Sequence, residues 1–342
     1  MAEAEPLDVA VLDVKMPDID GYELFRRVRK AKPSLPILIL TGHGTLDKAF
    51  ELSKGGVFDY LAKPVEVEKL GKLVLALGEY RIAIGNPVRD YVFVRPELRS
   101  YDTDSSQGDL YKVEVAHSAV VGNGLRRTIG IDYRYEDYIV SDTDQGVTNE
   151  LVPYISWAKT SADDPIYTKD GYRFKFSVQG ALEGVVSDTS YLSALASGKW
   201  IRSLGKDYRF ITRGDLGATW ADNVLDLPAS RRFYAGGDNS IRGWGFDALG
   251  PNDPATDDTV GGRFLAAGSL ELERRLWGDW SAAVFTDFGN AFDPDYSQEF
   301  EQSVGAGIHW RTPVGQVRVE VAYALTKEPA GFRLHLILGP DL

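Results

Sequence analysis

The chain has 342 residues, 38 Lys+Arg against 50 Asp+Glu, a formal net charge of −12 and no cysteine. That excludes disulfides and thiolate metal sites and makes the chain a poor nucleic-acid binder. No stretch reaches the roughly 20 uninterrupted apolar residues of a membrane helix, so a helical membrane protein is excluded; a barrel, whose strands alternate, is not. The opening residues Met1-Ala-Glu-Ala-Glu-Pro6 lack the basic and apolar stretches of a secretory signal.

Composition changes along the chain. Residues 1–84 are nearly neutral, whereas almost all the net negative charge, all 7 Trp and most of the 17 Tyr fall later. The break predicts a boundary near residues 72–86, separating a unit at 1–78 from one at 79–342.

In the first unit, Leu7–Leu12, Pro36–Leu40 and Val57–Ala62 are short apolar runs of the kind that fill buried parallel strands. Helical patterns lie between them (Tyr22, Leu24, Phe25, Val28, then Leu46, Ala49, Phe50, Leu52), and Val65–Leu77 reads as a last helix. Such alternation implies a parallel sheet whose functional groups gather at the carboxy ends of the strands. Asp13, Thr41 and Lys63 stand at those ends. A carboxylate nucleophile with a hydroxyl and an ammonium to stabilise added charge would make a phosphoryl site. From spacing alone, three solvated strand-end residues remain the plainer alternative.

In the second unit the period becomes two. Tyr111, Val113 and Val115 alternate with polar positions, as do Ile129, Ile131, Tyr133 and Tyr135, then Tyr172, Phe174, Phe176 and Val178, and later Val317, Val319, Val321 and Tyr323. Strands of about ten residues or more favour a membrane barrel over a sandwich. The pattern predicts a half-strand at Glu79–Ile84, about seven strands between residues 87 and 221, a long loop, and about five strands from 263 onward. The last strand carries Phe332, Leu334, Leu336 and Leu338 on one face. In the loop, Gly236 and Gly237 permit a tight turn, and Gly243 beside Arg242 lets the backbone approach a wall. The Arg242 guanidinium could reach into a polar lumen and pair with Glu271 or Asp287; a solvated arginine is the bland alternative. His43, His117, His309 and His335 show no ligand spacing and read as structural or surface residues rather than metal ligands.

LDVKMPDIDGYEL, ILTGHGT and FDYLAKP, over roughly residues 7–76, resemble the response-regulator receiver family of the NtrC/CheY type. The resemblance implies a flavodoxin-like α/β fold, with three parallel strands and their helices here, and Asp13 as phospho-acceptor. It also implies Thr41 as switch hydroxyl, Tyr60 as aromatic switch, Lys63 as phosphate-binding lysine, and Mg²⁺ held by Asp13 and the Lys15 carbonyl. The family's acidic pair, first helix and second strand would precede Leu7, where only six residues stand. The Mg²⁺ site is therefore expected to be incomplete and weak.

FYAGGDNSIRGW, GSLELE, VFTDFGNAF, GAGIHWRTPVGQVRVEVA and the final LGPDL are similar to the BamA/TamA outer-membrane assembly family, closest to TamA, from about residue 79 to 342. The resemblance implies an antiparallel transmembrane barrel, without cofactor or turnover chemistry, that helps insert β-barrel or autotransporter proteins by opening its seam. Ile241, Arg242, Gly243 and Trp244 would be the loop motif folded into the lumen against Glu271 and Asp287. Outer-membrane lipid, client barrels and a periplasm-spanning protein would be the partners. POTRA domains and about the first four strands of such a barrel are not seen, so the chain as it stands, truncated and fused to a receiver fragment, is expected to be non-functional in insertion.

Two fragments, each cut inside its fold, read as a chimera of two coding regions in which the barrel dominates and sets an outer-membrane location. The alternative is a cytoplasmic two-component regulator partnered by a histidine kinase, but lipid-facing strands would expose large apolar bands in the cytosol. Given the incomplete site, Mg²⁺-dependent labelling of Asp13 by a small phosphodonor should stay near background; robust labelling would show the receiver site to be competent.

Overall fold

The computed structural model describes residues 10–13, 27–28, 37–41, 59–62, 79–84 and 89–342, apart from 142–143, 165, 254–255, 296, 313–314 and 327–330. By contacts it divides into two units, Met1–Tyr80 with Val94–Arg99, and Arg81–Phe93 with Ser100–Leu342.

Near the amino end, β1 (Ala10–Asp13), β2 (Ile37–Thr41) and β3 (Asp59–Ala62) form a parallel sheet in the order β1-β2-β3. Pairing of Asp13 with Leu40, and of Thr41 with Ala62, sets the carboxy ends of β1 and β2 at one edge. The backbones of Asp13, Thr41 and Tyr60 therefore lie in strands, and Arg27 and Val28 are helical. Lys63, Lys15 and the remainder of the expected helices lie outside the described residues.

A 13-stranded sheet follows, running in sequence order from β4 at one edge to β16 at the other. After the short β4 (Tyr80–Ala83) come seven strands: β5 (Asp90–Asp102), β6 (Gln107–Val121), β7 (Leu125–Ile139), β8 (Gln145–Ala162), β9 (Gly171–Ala181), β10 (Tyr191–Leu204) and β11 (Tyr208–Trp220). Beyond the long loop lie β12 (Phe264–Trp277), β13 (Trp280–Phe292), β14 (Glu301–Thr312), β15 (Gly315–Ala324) and β16 (Phe332–Gly339). The alternation read from the sequence thus gives the observed strands, because a strand with one wet and one lipid face must change polarity at every residue.

Burial in this sheet is inside-out relative to a water-soluble protein. Glu136, Glu150, Glu273, Asp287, His309 and Glu320 are each 0% exposed, whereas Phe332, Leu334 and Leu336 are 78%, 67% and 68% exposed. Charged groups lose their hydration only if partners replace it, so they converge on the concave side. The apolar side chains form the outer band. Aromatic cross-strand pairs strengthen that band: Trp280 stacks on Trp310 and Trp157 on Phe176, each with ring centroids 5.8 Å apart. No helix among the described residues is long and apolar enough to cross a membrane.

Ile131, on the outer face of β7, tests this polarity. Ile131→Arg should destabilise the folded protein in lipid vesicles by roughly 2–4 kcal/mol. Guanidinium titration in vesicles measures it, and an unchanged midpoint would place Ile131 away from lipid.

Candidate functional site: a loop held inside the barrel

The loop between β11 and β12 starts with two short 3-10 turns, Val224–Asp226 and Ala229–Arg231, and is fixed to the barrel wall by arginines. Arg231 Nε donates to Glu150 Oε2 at 3.0 Å, and Arg232 makes a two-pronged contact with Asp144 while also donating to the carbonyls of Leu227 and Val260. The centre of the loop packs its own apolar cluster of Ala235, Ile241, Trp244 and Leu249 against Ala324 of β15.

Two glycines allow this course. Gly236 has φ +104°, and a Cβ there would stand 2.4 Å from the Gly245 carbonyl oxygen. Gly243 has φ +102° and passes the wall so closely that a Cβ would lie 3.4 Å from both the Ala324 nitrogen and the Ser303 Cβ. Both conformations strain any residue with a side chain.

Arg242 lies between them, 3% exposed. Its Nε and Nη2 donate to the two oxygens of Asp287 at 2.7 and 2.8 Å, Nη2 also donates to Ser269 Oγ at 3.0 Å, and Nη1 donates to Glu271 at 3.1 Å and Glu320 at 2.8 Å. All five N–H donors of the guanidinium are therefore used. Its Cζ stands 3.3 Å from the centroid of the Phe285 ring, adding a cation–π contact. Burial alone would depress the Arg242 pKa; the bonds to Asp287 and the charges of Asp287, Glu320 and Glu271 outweigh it and hold the group above its ordinary value. The arginine is a permanent cation here.

Neighbouring residues fasten the same segment. Arg213 of β11 donates to the loop carbonyls of Asp238 (3.1 Å) and Ser240 (2.6 Å). His335 of β16 accepts the Gly243 N–H at Nε2 over 3.0 Å, which leaves its proton on Nδ1, facing Asp238.

The polar chain continues beyond Arg242. His309 bridges Glu320 and Glu273, 2.9 Å from each, and Arg209 grips Glu273 at 3.1 and 2.8 Å. Arg209 also pairs with Asp341 at 2.6 Å and lies 3.8 Å from the centroid of the Tyr167 ring. The Tyr167 phenol donates to Glu273 at 3.0 Å; burial, and then the Glu273 charge, push its pKa up to about 12. Glu271, Glu273 and His309 could together offer three ligand atoms to a metal, since those atoms lie within 4.8 Å of one another. Glu273 and His309 are already bonded to each other and to further partners, so the geometry reads first as an ion-pair network.

The structure therefore brings Arg242 together with both sequence candidates, Asp287 and Glu271, and buries Ile241 and Trp244 beside it. Sequence reasoning missed Glu320, Glu273, Arg209 and Asp341, and it left His309 and His335 without a part in the site. The available signal was a charge at the polar phase of an alternating strand, as Glu320 is between Val319 and Val321. Side chains of Asp13, Thr41 and Tyr60 lie outside what the structure describes.

The chain matches the Omp85 superfamily domain over residues 91–339 and the response regulator receiver domain over residues 1–75. Outer membrane protein assembly factor BamA of Nitratidesulfovibrio vulgaris is 25% identical over 218 residues, covering 59% of this chain and 28% of that protein. The DNA-binding transcriptional regulator NtrC of Proteus hauseri is 39% identical over 79 residues, covering 23% of this chain and 17% of the regulator. The crystal structure of BamA from Haemophilus ducreyi lacking POTRA domains 1–3 superposes with a TM-score of 0.62 at 15% identity, over 77% of this chain and 61% of that one. This chain thus spans less than a third of each of the two sequence relatives. These barrel relatives are BamA proteins, which corrects the expectation of a particular closeness to TamA. Since the match runs through most of β5–β16, the protein belongs to the Omp85 superfamily.

Proposed function

We propose that the barrel unit resides in an outer membrane and assists the insertion of β-barrel client proteins, with the β11–β12 loop as a fixed internal plug. The observation that carries this reading is Arg242, whose every N–H is engaged by Asp287, Glu271, Glu320 and Ser269 inside the barrel. A loop fastened so tightly keeps the lumen filled and the wall in register. The strand at the edge of the sheet can then exchange partners without collapse of the interior. The edge strand β16 presents the backbone a client strand would pair with, and its outward Phe332, Leu334, Leu336 and Leu338 would face lipid during that exchange. The barrel supplies positions and surfaces, with no residue assigned to turnover; a periplasm-spanning partner or an autotransporter client fits the same reading.

For the receiver unit the reading is phosphate acceptance at Asp13 with Thr41, Tyr60 and Lys63 around it, weak Mg²⁺ and a histidine kinase as donor. It rests on the family match at residues 1–75. The outward apolar band of the larger sheet weighs against a cytoplasmic signalling role for the whole chain.

The test places the full chain in lipid vesicles and follows folding of a urea-unfolded outer-membrane barrel by its heat-dependent gel mobility. Against the expectation drawn from the missing strands, folding should be faster than with empty vesicles, because the fastened loop and the edge strand β16 are both present. Arg242→Ala strands three buried carboxylates, a loss of about 3–5 kcal/mol. It should bring the rate back towards that of empty vesicles and expose the loop to limited proteolysis. Glu271→Gln, which leaves the Asp287 pairing intact, should have a smaller effect on both readouts. Equal client folding with protein-containing and empty vesicles would overturn the proposal.

A further inference from the structure

Beside Arg242 the lumen opens into a cavity of about 510 Å³ whose walls carry more positive charge than its own acids engage. Three cations form a cross-strand row on adjacent strands: Arg173 of β9 is directly opposite Lys199 of β10, and Lys199 is directly opposite Arg213 of β11. Lys175 lies two residues along β9 on the same face, and Arg318 of β15 lines the cavity as well.

Like charges set directly opposite across strands destabilise a sheet. Here the row occurs in a chain of net charge −12, so basic composition does not explain it. Nor do its protein partners. Arg213 spends its donors on the loop carbonyls of Asp238 and Ser240, and Asp287 lies 3.8 Å away. Arg173, Lys175 and Lys199 make no side-chain hydrogen bond and no ion pair within 4.0 Å among the described residues. Arg318 has a buried Nε with no hydrogen-bond partner, and its ion pair with Asp341 is long at 3.7 Å. Three of the four acids on the wall are committed elsewhere, Asp238 to His335, Glu271 to Arg242 and Asp341 to Arg209; the fourth, Asp215, lies two residues from Arg213 on β11 and makes no ion pair within 4.0 Å with the row.

We propose that this cavity is an anion site that takes a phosphate-bearing ligand, held by Arg173, Lys175, Lys199 and Arg318. The donors converge from β9, β10 and β15, which suits the several oxygens of a tetrahedral dianion better than one planar carboxylate. Guanidinium forks and ammonium groups are the usual phosphate-binding pair. The volume exceeds that of bare phosphate and falls in the range of small-molecule sites, so a phosphorylated solute or a lipid headgroup fits. The inference stands on the charge row and does not depend on the insertion reading.

The test uses the full chain folded in uncharged detergent and titrated calorimetrically with inorganic pyrophosphate. One saturable site is expected, weakening steeply as salt screens the cations. Lys199→Met should lower affinity about tenfold or more, in line with loss of a charge-assisted hydrogen bond. Because a central strand residue is altered there, the exposed Lys175→Gln provides a second variant, with several-fold weakening and unchanged heat-dependent gel mobility expected. Absence of saturable binding, or both variants binding as the parent does, would overturn the proposal. Adding phosphatidylglycerol to the micelles separates the two sources, both consistent with the site: competition assigns a headgroup, and undiminished pyrophosphate binding assigns a soluble phosphate compound.

Discussion

A guanidinium without water must find five acceptors or stay outside, and Arg242 finds all five. The wall that receives it is specified by register. Ser269 of β12 faces Asp287 of β13, and Asp287 faces Ser303 of β14, so these side chains form one row under the loop. A slip of one residue in any of those pairings would send Asp287 to the lipid side and bring Phe288 or Thr286 inward. The plug and the strand register are therefore mutually dependent: the loop can dock only on the correct barrel, and the correct barrel buries bare carboxylates unless the loop docks. Desolvation makes either half alone unfavourable.

From Arg242 the same logic extends to the last residues. Glu320 is shared between Arg242 and His309, His309 passes to Glu273, and Glu273 is clamped by Arg209, which also holds Asp341. Asp341 in turn accepts the Thr168 N–H from the β8–β9 loop, at 3.0 Å. The chain of charges thus ties the segment after β16 to loops on both sides of the lumen. His335 adds a second tie from within β16 to the Gly243 backbone. Edge strand and plug are coupled through hydrogen bonds inside the barrel rather than through the outer face, which is left to lipid.

Much of this architecture is legible in the sequence. Alternation gave the strands because the two-residue period is a local property, and the turns around Gly236 and Gly243 were visible because positive φ selects glycine. Arg242 with Glu271 and Asp287 was also accessible, their partners lying 29 and 45 residues along the chain within recognisable motifs. Glu320 and Asp341, the first 78 residues from Arg242 and the second 132 from Arg209, were not. Those distances close only through strand number, tilt and curvature, which no local pattern encodes. Histidine failed for a related reason: His309 has no neighbouring ligand in sequence, and its two carboxylates arrive from other strands. The receiver motifs stood out as words, yet Lys63 lies outside the described residues, so the Asp13 rim stays a sequence statement.

The interior treats its charges in two unlike ways. From Arg209 to Arg242, each cation meets carboxylates at hydrogen-bond distance, and that stretch is a fixed part of the fold. Lining the cavity beside Arg242, the row from Arg173 through Lys199 has cations as its direct cross-strand neighbours and makes no ion pair within 4.0 Å among the described residues. If the row served only to hold strands together, an acid at position 199 would do better, since it would pair with Arg173 and Arg213 at once. Keeping a lysine there sacrifices stability in a protein that matches its charges from Arg209 to Arg242. The asymmetry therefore makes sense as a place kept open for an anion that the chain does not itself provide.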